Sequence, residues 1–353
     1  MTREGRTWLR KNGKRRLIVS AVVLAALGAG YHGFQLQYPA AQAGRACGGM
    51  LPVDPVLELA GKSRMSLIGG GFDVGSRQFD VSDDVKEPAG LAVRCDVGGA
   101  GISIETTAGA LNAYGVHTFQ DEQESLPVPL DAGWQGFMVT EDAGATASVL
   151  LSCDNWEPEQ GGGLLVAAES PHDIEVTESV RLQLARTVTE TARKAAEATG
   201  CATKPGDAKR LTAPSASATT VPAAEAEGTC KGLTSATEVR ETPAEAAPVE
   251  ECVLPGHLQL AAAYGPFNDN SQAVMNGAYG GHDKPSGVDG TSVWTSATCP
   301  GALGVGYFHA SPVDGSDRHF TSKPLTPSER ADLQRFAEQS AARHGCDSPA
   351  TLS

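Results

Sequence analysis

The sequence has few aromatic residues and none of the common catalytic motifs. Phe, Trp and Tyr make up 5% of its 353 residues, so each core must be built from smaller side chains. Gly-x-Ser-x-Gly, typical of serine hydrolases, does not occur, nor does the phosphate-binding pattern Gly-x-x-x-x-Gly-Lys. His-Glu-x-x-His and the motif set of penicillin-binding enzymes are also missing. The sequence therefore indicates no particular reaction, and a non-enzyme is favoured over an enzyme.

Cysteine pairs of the C-x-x-C type are missing as well, which argues against a zinc site. The chain nevertheless has eight cysteines. An even number of cysteines in an oxidising compartment predicts disulfides rather than metal binding. No metal and no cofactor is expected, and no free thiol remains to act as a nucleophile.

Basic residues are scarce outside the first 16 positions. The chain has 28 Lys and Arg against 42 Asp and Glu, for a formal net charge of −14. The first 16 residues contain seven of the basic residues and one of the acidic ones. The acidic remainder repels phosphate backbones, which excludes nucleic-acid binding as a main role. Acidity serves solubility, and the alternative is a cationic partner or loosely bound calcium.

Long apolar runs are confined to the N-terminus. Residues 1–16 form a basic tail, and an apolar run over residues 17–34 is just long enough for a transmembrane helix. The positive flank places the tail in the cytoplasm and the rest outside the cell membrane, as a single-pass protein. A cleaved signal peptide, with its site at Ala41-Gln42-Ala43, is the alternative. Residues 35–46 are a spacer.

The cysteines repeat along the chain and divide it in two. Cys153 and Cys201 are 48 positions apart, and Cys299 and Cys346 are 47 apart. The sequence before Cys201 also parallels that before Cys346. Two tandem domains are therefore predicted, joined by a disordered linker rich in Ala, Ser, Thr and Pro. The boundaries are 47–201 for the first domain, 202–229 for the linker, 230–346 for the second domain and 347–353 for a tail.

Hydrophobic patterning and turn residues predict an α+β fold for each repeat: a small antiparallel sheet packed by a short N-terminal and a long C-terminal helix. Asp54-Pro55 begins the first short helix, and Ser235 with Glu238 has the spacing of a capping box for the second, which Pro243 ends. The long helix of the first repeat carries Val180, Leu184 and Val188 on one face. The long helix of the second repeat begins at Thr326, with a proline at its first position.

Four cysteines in each domain allow three pairings, and the duplicated spacing favours pairing within each repeat without choosing among them. We predict the following disulfides: Cys47–Cys95, Cys153–Cys201, Cys230–Cys252 and Cys299–Cys346.

Cys47-Gly48-Gly49-Met50-Leu51 and Cys230-Lys231-Gly232-Leu233 each open a repeat with cysteine, glycine and apolar residues. With the order of elements above, the chain resembles small extracytoplasmic domains of actinobacterial cell surfaces. The resemblance implies a lipoprotein or a single-pass membrane protein and implies no activity. This chain differs from that pattern because it has two copies and lacks a lipidation cysteine.

Four residues are candidate ligand contacts: Trp156, in the polar turn after Cys153, and His309, Asp314 and His319, grouped near the last strand. Ordinary surface histidines are the alternative. Trp134 and Trp294 could also line a groove, although core packing accounts for them equally well. The prediction is a membrane-anchored binding or interaction module for an envelope protein or a small ligand. The alternatives are a cell-envelope enzyme with a hydrolase-like but non-standard site, and a passive envelope-organising protein.

Overall fold

Among the residues that it describes, the computed structural model has two antiparallel sheets and three α-helices with resolved bounds. It describes residues 23, 45–60, 74–78, 91–107, 125–142, 144–156, 162–172, 174–267, 284–313 and 316–352. Within these ranges no helix is both long and apolar enough to cross a membrane. The predicted anchor, residues 17–34, lies outside the described residues except for Val23. The α+β class with two antiparallel sheets is confirmed.

Fourteen strands form the sheets, seven in each. The first sheet consists of β1 (Val74–Gln78), β2 (Ala92–Val97), β3 (Ala100–Thr106), β4 (Val128–Pro129), β5 (Gly136–Glu141), β6 (Gly144–Ser152) and β7 (Gly163–Glu169). The second consists of β8 (Thr219–Pro222), β9 (Glu238–Glu241), β10 (Val249–Leu254), β11 (Leu258–Tyr264), β12 (Ser286–Val288), β13 (Val293–Thr298) and β14 (Val305–Pro312). The helices are α1 (Val53–Leu59), α2 (Glu178–Thr199) and α3 (Pro327–His344).

The two sheets share one arrangement of six strands. The first has the order β5-β6-β7-β3-β2-β1, and the second has β12-β13-β14-β11-β10-β9. The first sheet has β4 as an extra edge strand, and the second has β8 at the opposite edge. Strand register makes Cys95 equivalent to Cys252, because each lies two residues before the last paired residue of its hairpin strand.

All four disulfides join the cysteines as predicted. In each repeat, one bond ties the opening cysteine to the central hairpin. The other ties the cysteine after a strand, Cys153 or Cys299, to the cysteine that follows the long helix. The equivalent bonds therefore brace equivalent places in the two repeats.

Each long helix packs on one face of its sheet, α2 on β6 and β7 and α3 on β14 and β11. Leu184 and Val188 of α2 are fully buried and Val180 is half-buried, which confirms the predicted apolar face. The capping box at Thr326 is present. Gly200 and Gly345 end the helices with φ of 68° and 67°, a conformation that glycine adopts without steric cost.

The repeats pack against each other. The face of the first sheet opposite α2 contributes Phe137, Val139, Leu150 and Leu165 to the same apolar cluster as the second core. The rings of Phe137 and Phe267 meet edge to face, with centroids 5.2 Å apart. We call this contact the repeat junction. It buries apolar surface that either repeat alone would expose to water.

The segment 202–229, predicted to be a disordered linker, is built into the fold instead. Leu211 is buried in the first core, and the carbonyl of Pro214 accepts a hydrogen bond from Arg181. Residues Thr219–Pro222 then add β8 to the second sheet beside β9. The segment lacks large apolar residues, but backbone pairing and a few side-chain hydrogen bonds order it. The second repeat consequently begins before Cys230.

The short helix predicted from Ser235 and Glu238 is also wrong, because Glu238–Glu241 forms strand β9. The Asp332 carboxylate accepts hydrogen bonds from the backbone N–H groups of Thr234 and Ser235. Glu241 likewise accepts hydrogen bonds from the backbone of Gly228 and Cys230. These carboxylates hold the chain extended over the position where a helix was expected. In the first repeat the short helix α1 is present.

Candidate functional site

A pocket of about 260 Å³ lies where the first sheet meets the connecting segment. We call it the connector pocket. It is lined by Gly133, Trp134, Gln135, Leu150, Leu151, Ser152, Asp154, Thr203, Lys204, Pro205 and Gly206. One wall is therefore formed by residues 203–206, within the segment that was predicted to be disordered. The rest of the lining comes from the turn before β5, the end of β6 and Asp154 just beyond it.

Trp134, which is among the residues that line this pocket, is almost fully buried. Its side chain is 2% exposed, and its Nε1–H has no hydrogen-bond partner among the described residues. The backbone of Gly206 lies directly on the pyrrole half of the indole, and a Cβ there would clash with the ring. A buried donor without a partner costs stability.

Two opposite charges lie at the exposed rim. Asp154 and Lys204 are both exposed, and neither forms an ion pair within the described part of the chain. Their backbones are fixed, because the Asp154 N–H donates to the Ala202 carbonyl over 2.7 Å. The Cys153–Cys201 disulfide lies immediately beside this pair. The rim therefore presents one anion and one cation on a braced support.

A second polar cluster is buried between α3 and the second sheet. Arg343 forms an ion pair with Glu250, and His344 Nε2 lies 3.0 Å from the other carboxylate oxygen. The Tyr264 ring stacks on His344 with centroids 4.0 Å apart, and its hydroxyl bonds to Ser340 over 2.6 Å. Glu250 is 2% exposed and His344 is 5% exposed. The Arg343 side chain is 18% exposed, so only the edge of the cluster reaches solvent.

Electrostatics within this cluster favour the charged carboxylate. Burial alone would raise the pKa of Glu250, but the His344 hydrogen bond and the Arg343 charge outweigh it and hold that pKa below its usual range. Burial, together with the neighbouring Glu250 charge, raises the pKa of Tyr264, so its hydroxyl stays protonated. The four ionisable side chains of this cluster, Glu250, Arg343, His344 and Tyr264, are therefore electrostatically coupled.

Two further carboxyl groups are buried on the sheet faces opposite the helices. Burial raises the pKa of Glu251 to about 7 against the opposing hydrogen bond from Gln259. Burial likewise raises the pKa of Glu105 to about 7, and its Oε2 has no partner among the described residues. Both side chains thus favour the neutral form when folded.

Three of the four candidate contacts lie in the part of the chain that the structure describes. Trp156 is half-buried against the first core, whereas His309 lies in β14 opposite Trp294 of β13. His319 is exposed beside the turn at Gly290. Asp314 lies outside the described residues. Within the described ranges no group of three or more metal-type ligands occurs.

Sequence reasoning found part of the connector pocket. Trp134 was recognised as a candidate groove residue, and Asp154 lies in the polar turn that drew attention to Trp156. Lys204 was missed, because it belongs to the segment assigned to the linker. Only its position two residues after the carbonyl that pairs with Asp154 brings it to the rim.

Comparisons with protein-family models, with curated proteins and with solved structures found no match to this chain. The functional argument therefore rests on the residues and their geometry.

Proposed function

We propose that this chain is a membrane-anchored, extracytoplasmic binding module whose ligand occupies the connector pocket. The observation that carries the proposal is the buried Trp134, whose indole N–H has no partner among the described residues and which lines a pocket together with the exposed Asp154 and Lys204. Buried polar groups in folded proteins almost always have partners, and an exception indicates a missing one.

Four disulfides support an extracytoplasmic address, because such bonds persist in oxidising compartments and are rare in the cytosol. The basic tail and apolar run at residues 1–34 supply the anchor in this proposal. Labelling of intact cells with a thiol-reactive polymer checks the address. We expect labelling of the protein only after reduction; free thiols in the folded chain would contradict an oxidised location.

The size of the pocket indicates a small ligand. Pockets for drug-sized molecules have volumes of roughly 300–1,000 Å³, and the connector pocket, at about 260 Å³, is smaller. Leu150, Leu151 and Pro205 supply apolar wall, and the remaining lining is polar or glycine. A protein partner docking on the rim is a different outcome that the following experiment would detect.

Photo-crosslinking in intact cells tests the proposal. A photoreactive phenylalanine analogue replaces Thr203, which lines the pocket, in the full chain. The matched control carries the same analogue at Thr219, an exposed residue of β8. We expect mass spectrometry to show a small-molecule adduct at position 203 only. The same adducts at both positions, or none at position 203, would contradict a ligand site in this pocket.

A further inference from the structure

The chemistry of the connector pocket specifies its ligand class more narrowly. We infer that the pocket binds a small zwitterion, a molecule with both an ammonium and a carboxylate group, such as an amino acid or a short peptide. This inference rests on the proposed function, because it names the ligand of the same site.

Charge balance carries the argument. Asp154 and Lys204 contribute one negative and one positive charge to the same rim, and neither charge is neutralised by a neighbour in the described chain. A simple anion would pair with Lys204 and be repelled by Asp154, and a simple cation would do the reverse. A ligand with both charges satisfies the two groups at once.

The neutral groups of the pocket fit the same ligand. The Trp134 indole can only donate a hydrogen bond, so it requires an acceptor such as a carboxylate oxygen. Ser152 accepts a hydrogen bond from the Ala302 N–H and has its own hydroxyl proton to donate. The Gln135 side chain offers an amide oxygen, which an ammonium group can reach. The apolar wall suits a short aliphatic side chain.

Titration calorimetry on the oxidised full chain in detergent tests the inference with a matched set of probes. The dipeptide Ala-Ala carries both charges. Its N-acetyl derivative lacks the ammonium group, its C-terminal amide lacks the carboxylate, and N-acetylglucosamine is polar and uncharged. We expect saturable binding of Ala-Ala. Each capped form should bind with an affinity about tenfold lower or weaker still, since it loses a charge-assisted hydrogen bond.

Substitutions assign the two charges. Lys204→Gln is expected to weaken Ala-Ala binding about tenfold and to abolish the preference for the free carboxylate. Asp154→Asn should do the same for the free ammonium group. Trp134→Phe removes the donor and leaves a smaller ring in the first core, so both ligand binding and the thermal midpoint are expected to fall. Lys209→Gln, an exposed lysine of the same segment that does not line the pocket, is the matched control and should bind normally.

The results separate two kinds of failure. Equal binding of Ala-Ala and its capped forms, tighter binding of N-acetylglucosamine, or no saturable binding of Ala-Ala would each overturn the zwitterion inference. A crosslinked uncharged molecule at position 203 would overturn this inference and leave the proposed binding function standing. Absence of any adduct at position 203 would remove both.

Discussion

The two repeats hold their long helices in place by different means. In the first repeat, Val93 occupies the strand position that Glu250 occupies in the second, each two residues before the hairpin cysteine. Thr199 likewise corresponds to His344, each two residues before the cysteine that follows the long helix. The equivalent strand position is thus apolar in the first core, whereas in the second repeat it carries a buried carboxylate paired with Arg343 and His344.

Apolar contacts and buried ion pairs constrain the position of a helix in different ways. Apolar contacts are non-directional and tolerate small shifts of a helix. The Glu250 cluster requires one placement of α3, because three side chains must meet at hydrogen-bonding distance. Buried ion pairs contribute little net stability relative to apolar packing, but removing one partner is costly. The second repeat therefore fixes the position of its long helix more narrowly than the first. It also loses more stability when one side chain of the contact is removed.

The largest expected effect comes from breaking the buried cluster. Glu250→Ala leaves Arg343 and His344 without their acceptor, and should lower the free energy of unfolding by about 3–5 kcal/mol. The matched change Val93→Ala removes only apolar contacts, and we expect about 1–2 kcal/mol. Denaturant unfolding of the oxidised full chain measures both. Equal losses would contradict the difference between the repeats.

Replacing the whole cluster with the equivalent residues of the first repeat tests this difference further. The triple variant Glu250→Val, Arg343→Ala and His344→Thr gives the second repeat the residues of the first. Replacing a complete buried charge cluster with neutral residues should restore most of the stability lost in Glu250→Ala, since no unpaired charge remains. A triple variant less stable than Glu250→Ala would show that the cluster stabilises the fold beyond its internal pairing.

Disulfide removal compares equivalent loops of different length. Cys47–Cys95 closes a loop of 48 residues, and Cys230–Cys252 closes one of 22. The chain-entropy relation gives about 4.1 kcal/mol for the longer loop and about 3.4 kcal/mol for the shorter. Double Cys→Ala variants should therefore differ by about 0.7 kcal/mol in denaturant unfolding. A larger loss from the shorter loop would indicate that native contacts, rather than loop entropy, decide the cost.

The buried carboxyl groups of Glu105 and Glu251, each on the sheet face opposite the long helix, should respond to pH in the same direction. Their folded pKa of about 7 lies above the ordinary value of 4.5. The folded state therefore binds a proton more tightly, and stability is lost as pH rises from about 4.5 through 7. Glu105→Gln and Glu251→Gln should each stabilise the chain at pH 8 by on the order of 1–3 kcal/mol and change little at pH 4. Unfolding curves at the two pH values check this; equal gains at both would contradict it.

Glu329 should make the chain less stable in acid, which is the opposite of the effect expected from Glu105 and Glu251. Hydrogen bonds from Arg318 lower the pKa of Glu329 to about 2, and its place in the first repeat is held by Leu184. A lowered folded pKa means that stability present above pH 4.5 is lost as pH falls toward 2. Glu329→Gln should make the chain less sensitive to acid over this range, and Leu184→Val should leave that sensitivity unchanged. Unfolding midpoints measured from pH 5 to pH 2 test the pair.

The smallest expected effect concerns the helix N-caps. Thr326→Ala breaks a capping box and should cost about 1–2 kcal/mol, because two reciprocal hydrogen bonds are lost. Thr177 makes a single capping bond to the Val180 N–H, so Thr177→Ala should cost about 0.5–1 kcal/mol. Thermal unfolding of the two variants decides the order, and a larger cost at Thr177 would contradict it.

Local signals in the sequence were sufficient for much of the fold. Cysteine spacing indicated the two repeats and was compatible with the observed bonds, and the residues around Thr326 and Gly345 marked the ends of α3. These signals worked because capping and left-handed termini depend on neighbouring residues. The strand at Glu238–Glu241 was missed because its geometry depends on Asp332, almost a hundred residues away.

For the connecting segment, residues 202–229, the amino-acid composition led to a prediction of disorder that was wrong. A stretch with few large apolar residues usually stays disordered, since it cannot bury enough surface to offset its loss of entropy. Here the Asp131 carboxylate accepts hydrogen bonds from Thr212, and β9 offers a free edge to Thr219–Pro222. Such long-range partners leave no trace in a local pattern. Most of the connector pocket was invisible for the same reason.

The repeat junction bears on how this chain could have arisen and how it can be divided. The first repeat on its own would expose a contiguous apolar surface to water, formed by Phe137, Val139, Leu150 and Leu165. In the intact chain, each repeat covers apolar surface of the other. A protease cut or gene truncation between the halves would accordingly yield fragments prone to aggregation, and the pair must be inherited and expressed as one molecule.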